Sequence, residues 1–243
     1  MRKQTMLKCL AGVAGALVIG MLLYQAAFVR EFLAANASLL GGASVPYLRH
    51  ALHDDDHKVR QQAGEALKAL GPAAVPALSA SLADADPLVR GQSAQACFVL
   101  GPIAKDAVPA MVEALRAETD PRNRLILVRA FSTFGAEARG AIPALVAALK
   151  DDDAEVRAEA AETLGRVGRF GDVDTVVAAL IAGFGDPDAN ARSECAEALG
   201  RLGAFAKAAI PALTQLKRDD PDRTVRSEAS ESLIRIERAL ARR

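Results

Sequence analysis

The sequence predicts an all-α chain: an α-solenoid of repeated helical hairpins, a superhelix, preceded by one transmembrane helix. Three observations carry this. An aspartate, an arginine and a glycine return at fixed offsets along most of the chain. The composition is rich in alanine and leucine, with no tryptophan and 4% aromatic residues. One stretch near the amino terminus lacks charge altogether. Sheets draw on aromatic and β-branched side chains, which fit a pleated and half-buried surface, so the composition points to helix.

The uncharged stretch is Cys9 to Val29, 21 residues. As a helix rising ~1.5 Å per residue it would span about 31 Å, the thickness of a bilayer's hydrocarbon core. Arg2, Lys3 and Lys8 precede it, whereas Arg30 beyond it is offset by Glu31. That bias orients a signal anchor with its amino terminus in the cytoplasm and the solenoid outside it, in the periplasm of a bacterium. A cleaved secretion signal is the competing reading, with Ala35-Asn36-Ala37 as an A-x-A site. Against it, the apolar run exceeds the usual core of about 7 to 15 residues.

The repeat is measured by its arginines: Arg60, Arg90, Arg124, Arg157, Arg192 and Arg226 stand 30, 34, 33, 35 and 34 residues apart. Four residues ahead of each is an aspartate, in order Asp56, Asp86, Asp120, Asp153, Asp188 and Asp222. Eleven residues after the first five come Gly71, Gly101, Gly135, Gly168 and Gly203, with Glu237 in that place after the sixth. This describes one helix with both ends marked. An N-cap aspartate accepts from the unpaired amides of the first turn. Pro87 and Pro121 fit the first helical position, and the glycine supplies the left-handed residue that ends the helix. Apolar side chains recur between them at a helical interval, as Val156, Ala160, Leu164 and Val167 do in the fourth repeat. Cys97 and Cys195 fall in slots of this stripe and read as small buried hydrophobes.

A second helix precedes each of these, opened by Pro46, Pro76, Pro109, Pro143 or Pro211. The fifth repeat departs from the pattern, with Thr175 where proline is expected and a longer turn from Gly183 to Asp188. The expected organisation is a cytoplasmic tip and anchor at 1–29 and a capping half repeat at 30–44, followed by six hairpins over 45–243. Their bounds are about 45–74, 75–107, 108–141, 142–174, 175–209 and 210–243. Arg30 and Gly41 keep the 11-residue spacing, so anchor and array are expected to join as one nearly continuous helix from Cys9 to Leu40.

The paired motifs P-x-L-x3-L and D-x3-V-R-x6-L-x2-L-G resemble the short HEAT-like repeats of phycobilisome-lyase-type proteins and related bacterial scaffolds, over residues 45–243. The resemblance implies that the second helices line a concave surface that holds partners. It also implies that the six aspartates and six arginines named above are structural, forming a hydrogen-bonded ladder between repeats. HEAT-like relatives include an iron hydroxylase that uses His-Glu pairs, and this sequence contains no such dipeptide.

Charge and motif narrow the function classes further. The 30 basic residues equal the 30 acidic ones, and three of the basic ones precede the anchor, so the array has no basic footprint for nucleic acid. No nucleophile, base and orienting group fall at informative spacing, and no glycine-rich phosphate loop occurs, so no enzyme and no cofactor are expected. At the second, fifth and ninth residues after the arginine, the last three repeats carry Glu, Glu and Arg, a solvated and self-paired pattern. The second and third repeats replace it with Gln92, Gln95 and Val99, then Ile126, Arg129 and Thr133, with Phe98 and Leu125 beside them. An uncharged strip rimmed by charge is a candidate partner-binding patch. His50, His53 and His57 form a weak metal candidate, since the neighbouring acids recur without histidine at Asp151-Asp152-Asp153. The expectation is a membrane-anchored scaffold or adaptor for another, membrane-associated protein, in contact with the lipid bilayer through residues 9–29. The alternative is a carrier of a small ligand, chromophore or metal.

Overall fold

The computed structural model of the protein describes Val45, Leu48, Ala51, Leu52, Asp54 and residues 56–242. The chain divides between Ala74 and Val75 into two compact units. In the first, α1 (His57–Ala69) starts at Asp56, whose carboxylate accepts from the Lys58 amide at 2.8 Å. Its buried residues are Val59, Ala63, Ala66 and Leu67, and Leu48, Ala51 and Leu52 ahead of it are buried as well.

The second unit is five helical hairpins. Their first, or A, helices are α2 (Val75–Ser81), α4 (Val108–Ala117), α6 (Ile142–Ala148), α8 (Val173–Ala182) and α10 (Ile210–Asp219). Their second, or B, helices are α3 (Pro87–Leu100), α5 (Pro121–Phe131), α7 (Ala154–Val167), α9 (Ala189–Leu202) and α11 (Arg223–Ala241). Each B helix begins at an aspartate whose carboxylate accepts a first-turn amide: Asp86, Asp120, Asp153, Asp188 and Asp222. Seven-residue 3-10 turns, Gly101–Ala107, Gly135–Ala141 and Gly203–Ala209, lead into α4, α6 and α10. The turn before α8 is cut to Gly168–Phe170. There Asp172 takes over as the cap, and Thr175 donates its amide at 3.3 Å and its hydroxyl at 2.7 Å to that carboxylate. A side-chain cap thus starts the helix that lacks the proline.

Gly168 also departs from the expected left-handed ending, with φ −58° where Gly101, Gly135 and Gly203 have φ between +50° and +59°. Packing, not backbone hand, requires glycine there, because an added Cβ would meet Val176 Cγ1 at 2.8 Å.

Consecutive B helices lie side by side, from α3 through α5, α7 and α9 to α11, and each A helix packs on its own B helix. The core is the apolar stripe of the B helices, such as Val156, Ala160, Leu164 and Val167, all with no exposed surface. In α9 the same stripe is Ala191, Cys195, Leu199 and Leu202, also buried. Burial pushes the Cys97 and Cys195 thiols up to about 12, so neither is a nucleophile at neutral pH. Between α7 and α9 the backbones come close, because Gly165 has no side chain where a Cβ would lie 2.8 Å from Ala198 Cα.

The arginines tie one hairpin to the next. Arg157 donates through Nε and Nη2 to both oxygens of Asp186, at 2.7 and 2.9 Å, and through Nη1 to the carbonyls of Asp151 and Asp152 in its own turn. Arg90 forks Glu118 in the same way, Arg124 forks Asp151, and Arg192 forks Asp220. The acid of each pair is not the capping aspartate expected from the sequence. It stands two residues earlier and also accepts the cap's own amide, as Asp186 does from Asp188 at 2.9 Å. Burial alone would raise the Glu118 carboxyl, but hydrogen bonds from Arg90, the Asp120 amide and Asn123 outweigh it and hold the group at about 2.

Among the described residues no helix is long and apolar enough to cross a membrane. This corrects the expected localisation as a single-pass membrane protein with an extracytoplasmic solenoid. The longest of the described helices, α11, has 19 residues but carries Arg226, Glu228, Glu231 and Arg235 along its length. The stretch 9–29, the capping half repeat at 30–44 and the continuous helix to Leu40 lie outside the described residues.

Two substitutions test this packing. Gly165→Ala drives a methyl into the α9 backbone and should cost about 1–3 kcal/mol in urea denaturation. Arg192→Ala strands the buried Asp220 carboxylate and should cost about 3 kcal/mol. By contrast Arg166→Ala, which removes an exposed pair with Glu162, should cost less than about 0.5 kcal/mol.

Candidate functional site

In the second unit, the second, fifth and ninth residues after each ladder arginine line one exposed face of the B layer. Its character changes along the layer. On α3 this face presents Gln92, Gln95 and Val99, and on α5 Ile126 and Arg129, with Thr133 in the turn that follows. On α7 it presents Glu159, Glu162 and Arg166; on α9, Glu194, Glu197 and Arg201; on α11, Glu228, Glu231 and Arg235.

Most of these charges satisfy one another. Arg129 reaches across from α5 to α7 and donates twice to Glu159 Oε2, at 2.7 and 3.0 Å. Glu162 accepts from Arg166 at 2.7 Å and lies 3.6 Å from Arg201, which itself donates to Glu197 at 2.8 Å. Arg235 stands 3.3 Å from both Glu228 and Glu231 and 3.9 Å from Glu197. Glu194 is the exception: it is half-buried, and among the described residues no hydrogen bond reaches its carboxylate. Burial, then the charges of Glu197, Glu162 and Glu228, push it up to about 7 against the opposing pull of Arg201.

Glu194 lines a pocket of about 270 Å³ that crosses three B helices. Leu125 and Arg129 of α5 form one wall, and Glu155, Ala158, Glu159 and Glu162 of α7 form the middle. Asn190 and Glu194 of α9 close the far side. Larger clefts of about 560–620 Å³ run along the opposite, turn edge between neighbouring A helices, beside the Arg90, Arg124 and Arg192 pairs.

The eight candidate partner contacts divide between two places. Leu125 and Arg129 belong to the pocket. Val99 is 56% exposed on α3, while Gln92, Gln95, Phe98, Ile126 and Thr133 are half-buried, so the strip is less open than its composition suggests. Thr133 turns its hydroxyl back onto the Ala130 carbonyl at 2.8 Å. Gln92 Oε1 is buried and accepts nothing. His50 and His53 lie outside the described residues, and His57 opens α1. Among the described residues no group of three or more His, Cys, Asp or Glu is placed to hold a metal. Sequence reasoning missed the ladder acids, although an acid two residues ahead of each cap, from Asp54 and Asp84 to Asp220, is a regular signal. It also missed the isolation of Glu194, which depends on which neighbour each arginine chooses.

Glu194 gives a pH test. Its folded value lies above that of an unfolded glutamate, about 4.5, so above pH 7 folding carries the full burden of a desolvated carboxylate. As the pH falls from 7 toward 4.5, the folded state takes up the proton first and the burden is relieved. Glu194→Gln should therefore raise the melting temperature at pH 8 and leave it unchanged at pH 4.

Comparisons agree with this architecture. The family profile of HEAT repeats matches residues 26–98, 108–175 and 142–234. No curated protein matches the chain. An archaeal HEAT-like repeats protein from Thermococcus onnurineus is similar in structure, with a TM-score of 0.57 at 10% identity, over 86% of this chain and 93% of that one. A designed armadillo repeat protein in complex with the peptide (KR)4 gives 0.57 at 19% identity, over 79% and 99%. The complex of CpcE and CpcF of phycocyanin lyase from Nostoc gives 0.44 at 22% identity, over 88% and 86%. With hairpins, capped B helices and a matching profile over most of its length, the chain belongs to the HEAT-repeat family.

Proposed function

We propose that the protein is an interaction scaffold that receives a segment of a partner protein on the exposed face of its B layer. The observation that carries this reading is the pocket crossing α5, α7 and α9, since it joins several repeats into one surface. Extended faces built from stacked repeats are suited to binding chains rather than compact ligands. The pocket's volume of about 270 Å³ suits a single side chain. It falls below the range of roughly 300–1,000 Å³ usual for small-molecule sites, which disfavours a ligand carrier acting through this face. The designed armadillo protein offers a parallel, as its own solenoid is in complex with a peptide. In this reading the chain binds and does not catalyse.

Panning random displayed peptides on the full chain tests the proposal. Enriched peptides should lose roughly tenfold or more in affinity on Val99→Asp, a change of about 1.4 kcal/mol or more at an exposed position. Lys207→Glu, exposed on the turn before α10, should leave binding unchanged. Enriched peptides indifferent to Val99→Asp, or as sensitive to Lys207→Glu, would overturn it.

A further inference from the structure

The charge on the B-layer face deepens the scaffold reading, on which the following inference rests. From α5 to α11, the positions described above hold six glutamates against four arginines. Those arginines are already committed to glutamates of this face, so the surplus is negative. The surplus is also localised. The Glu194 carboxylate has no hydrogen-bond partner among the described residues, and the Glu155 carboxylate in the same pocket has none either. The one basic group of the pocket, Arg129, is held in place by Glu159. Leu125 and Ala158 line the same pocket and suit an aliphatic stem.

A second observation lies three helices away. Val99 on α3 is an apolar side chain 56% exposed on the same face. A chain lying along the face would cover it. Three helix-to-helix steps of about 8–10 Å separate α3 from α9. An extended segment of about eight residues, at ~3.3–3.6 Å each, spans that distance.

We propose that this face docks an extended, basic segment of a partner protein, about eight residues long, with one lysine or arginine side chain seated between Leu125, Ala158, Glu155, Glu162 and Glu194. The long stem of such a residue covers the apolar floor while its charged head reaches the carboxylates. The excess of carboxylates over cations around Glu194 also gives the contact a pH range. Glu194 is faced by Arg129 from α5 and by Glu155, Glu159 and Glu162 from α7. Glu197 and Arg201 face it from α9 itself, and Glu228 from α11. With its carboxyl near 7, docking is strongest when the group is ionised and weakens as it takes up a proton.

The test is fluorescence anisotropy with a labelled octapeptide of alternating lysine and arginine, titrated with the full chain at pH 8 and pH 5.5. The expected result is saturable binding at pH 8, weakened roughly tenfold or more by Glu162→Gln with Glu194→Gln, the scale of a lost charged contact. The wild-type chain should also bind more weakly at pH 5.5. Glu113→Gln with Glu137→Gln, exposed on α4 and on the turn before α6, should change affinity less than about twofold, as screened surface charges do. Melting curves establish that each variant is folded. Equal losses from both pairs, no effect of the first pair, or equal binding of an alternating glutamate and serine octapeptide would each overturn the proposal. If the basic peptide fails while panned peptides still bind through Val99, the charge selection falls and the scaffold stands. If neither binds, both fall.

Discussion

The bidentate fork from one arginine to the acid of the next turn is the contact on which the stacking of the second unit depends. Each guanidinium satisfies three demands together. It caps carbonyls of its own turn that no helix uses, neutralises an acid that is largely buried, and through that acid fixes the residue that caps the next B helix. Only a planar group with donors on two edges can do this, and a lysine could not replace it. The apolar stripe supplies adhesion, but adhesion along a smooth alanine-rich surface does not fix register. The fork does, because a hairpin displaced by one turn of helix would leave both an arginine and an acid without partners in poor solvent contact.

How much of this the sequence reveals depends on the range of each interaction. Caps and stripes are local, so the D-x3-R-x10-G rhythm was enough to place the B helices and the hairpin class. The ladder acids are about 28 residues from their arginines, as with Arg192 and Asp220, and the resemblance pointed instead to the neighbouring caps. Gly168 shows the opposite failure. Its motif position promised a left-handed ending, yet the contact with Val176 across the shortened turn governs it. Charge on the exposed face was legible as composition only, because Arg129, Arg201 and Arg235 each choose among several glutamates according to spacing between helices. The outcome, with Glu194 left over, is a property of the packed layer.

Two sets of charges with separate duties result. At the turns, Arg90, Arg124, Arg157 and Arg192 each hold one acid, and these pairs are largely withdrawn from water. On the exposed face, the pairs are solvated, interchangeable and incomplete. A change at the turns is felt as stability, whereas a change on the face alters the potential offered to a partner. This separation lets the face vary from glutamine on α3 to glutamate on α9 without disturbing the stack beneath.

The fork has one more implication, for how such a chain can change length in evolution. Inside the second unit, the turns holding Glu118, Asp151 and Asp186 each offer an acid to the hairpin before and aim an arginine at the hairpin after. An in-frame duplication of a block of 30 to 35 residues would therefore bring compatible partners to both of its new junctions. Gene-level copying can lengthen or shorten the array in whole hairpins, while a partial copy would separate an arginine from its acid and be selected against.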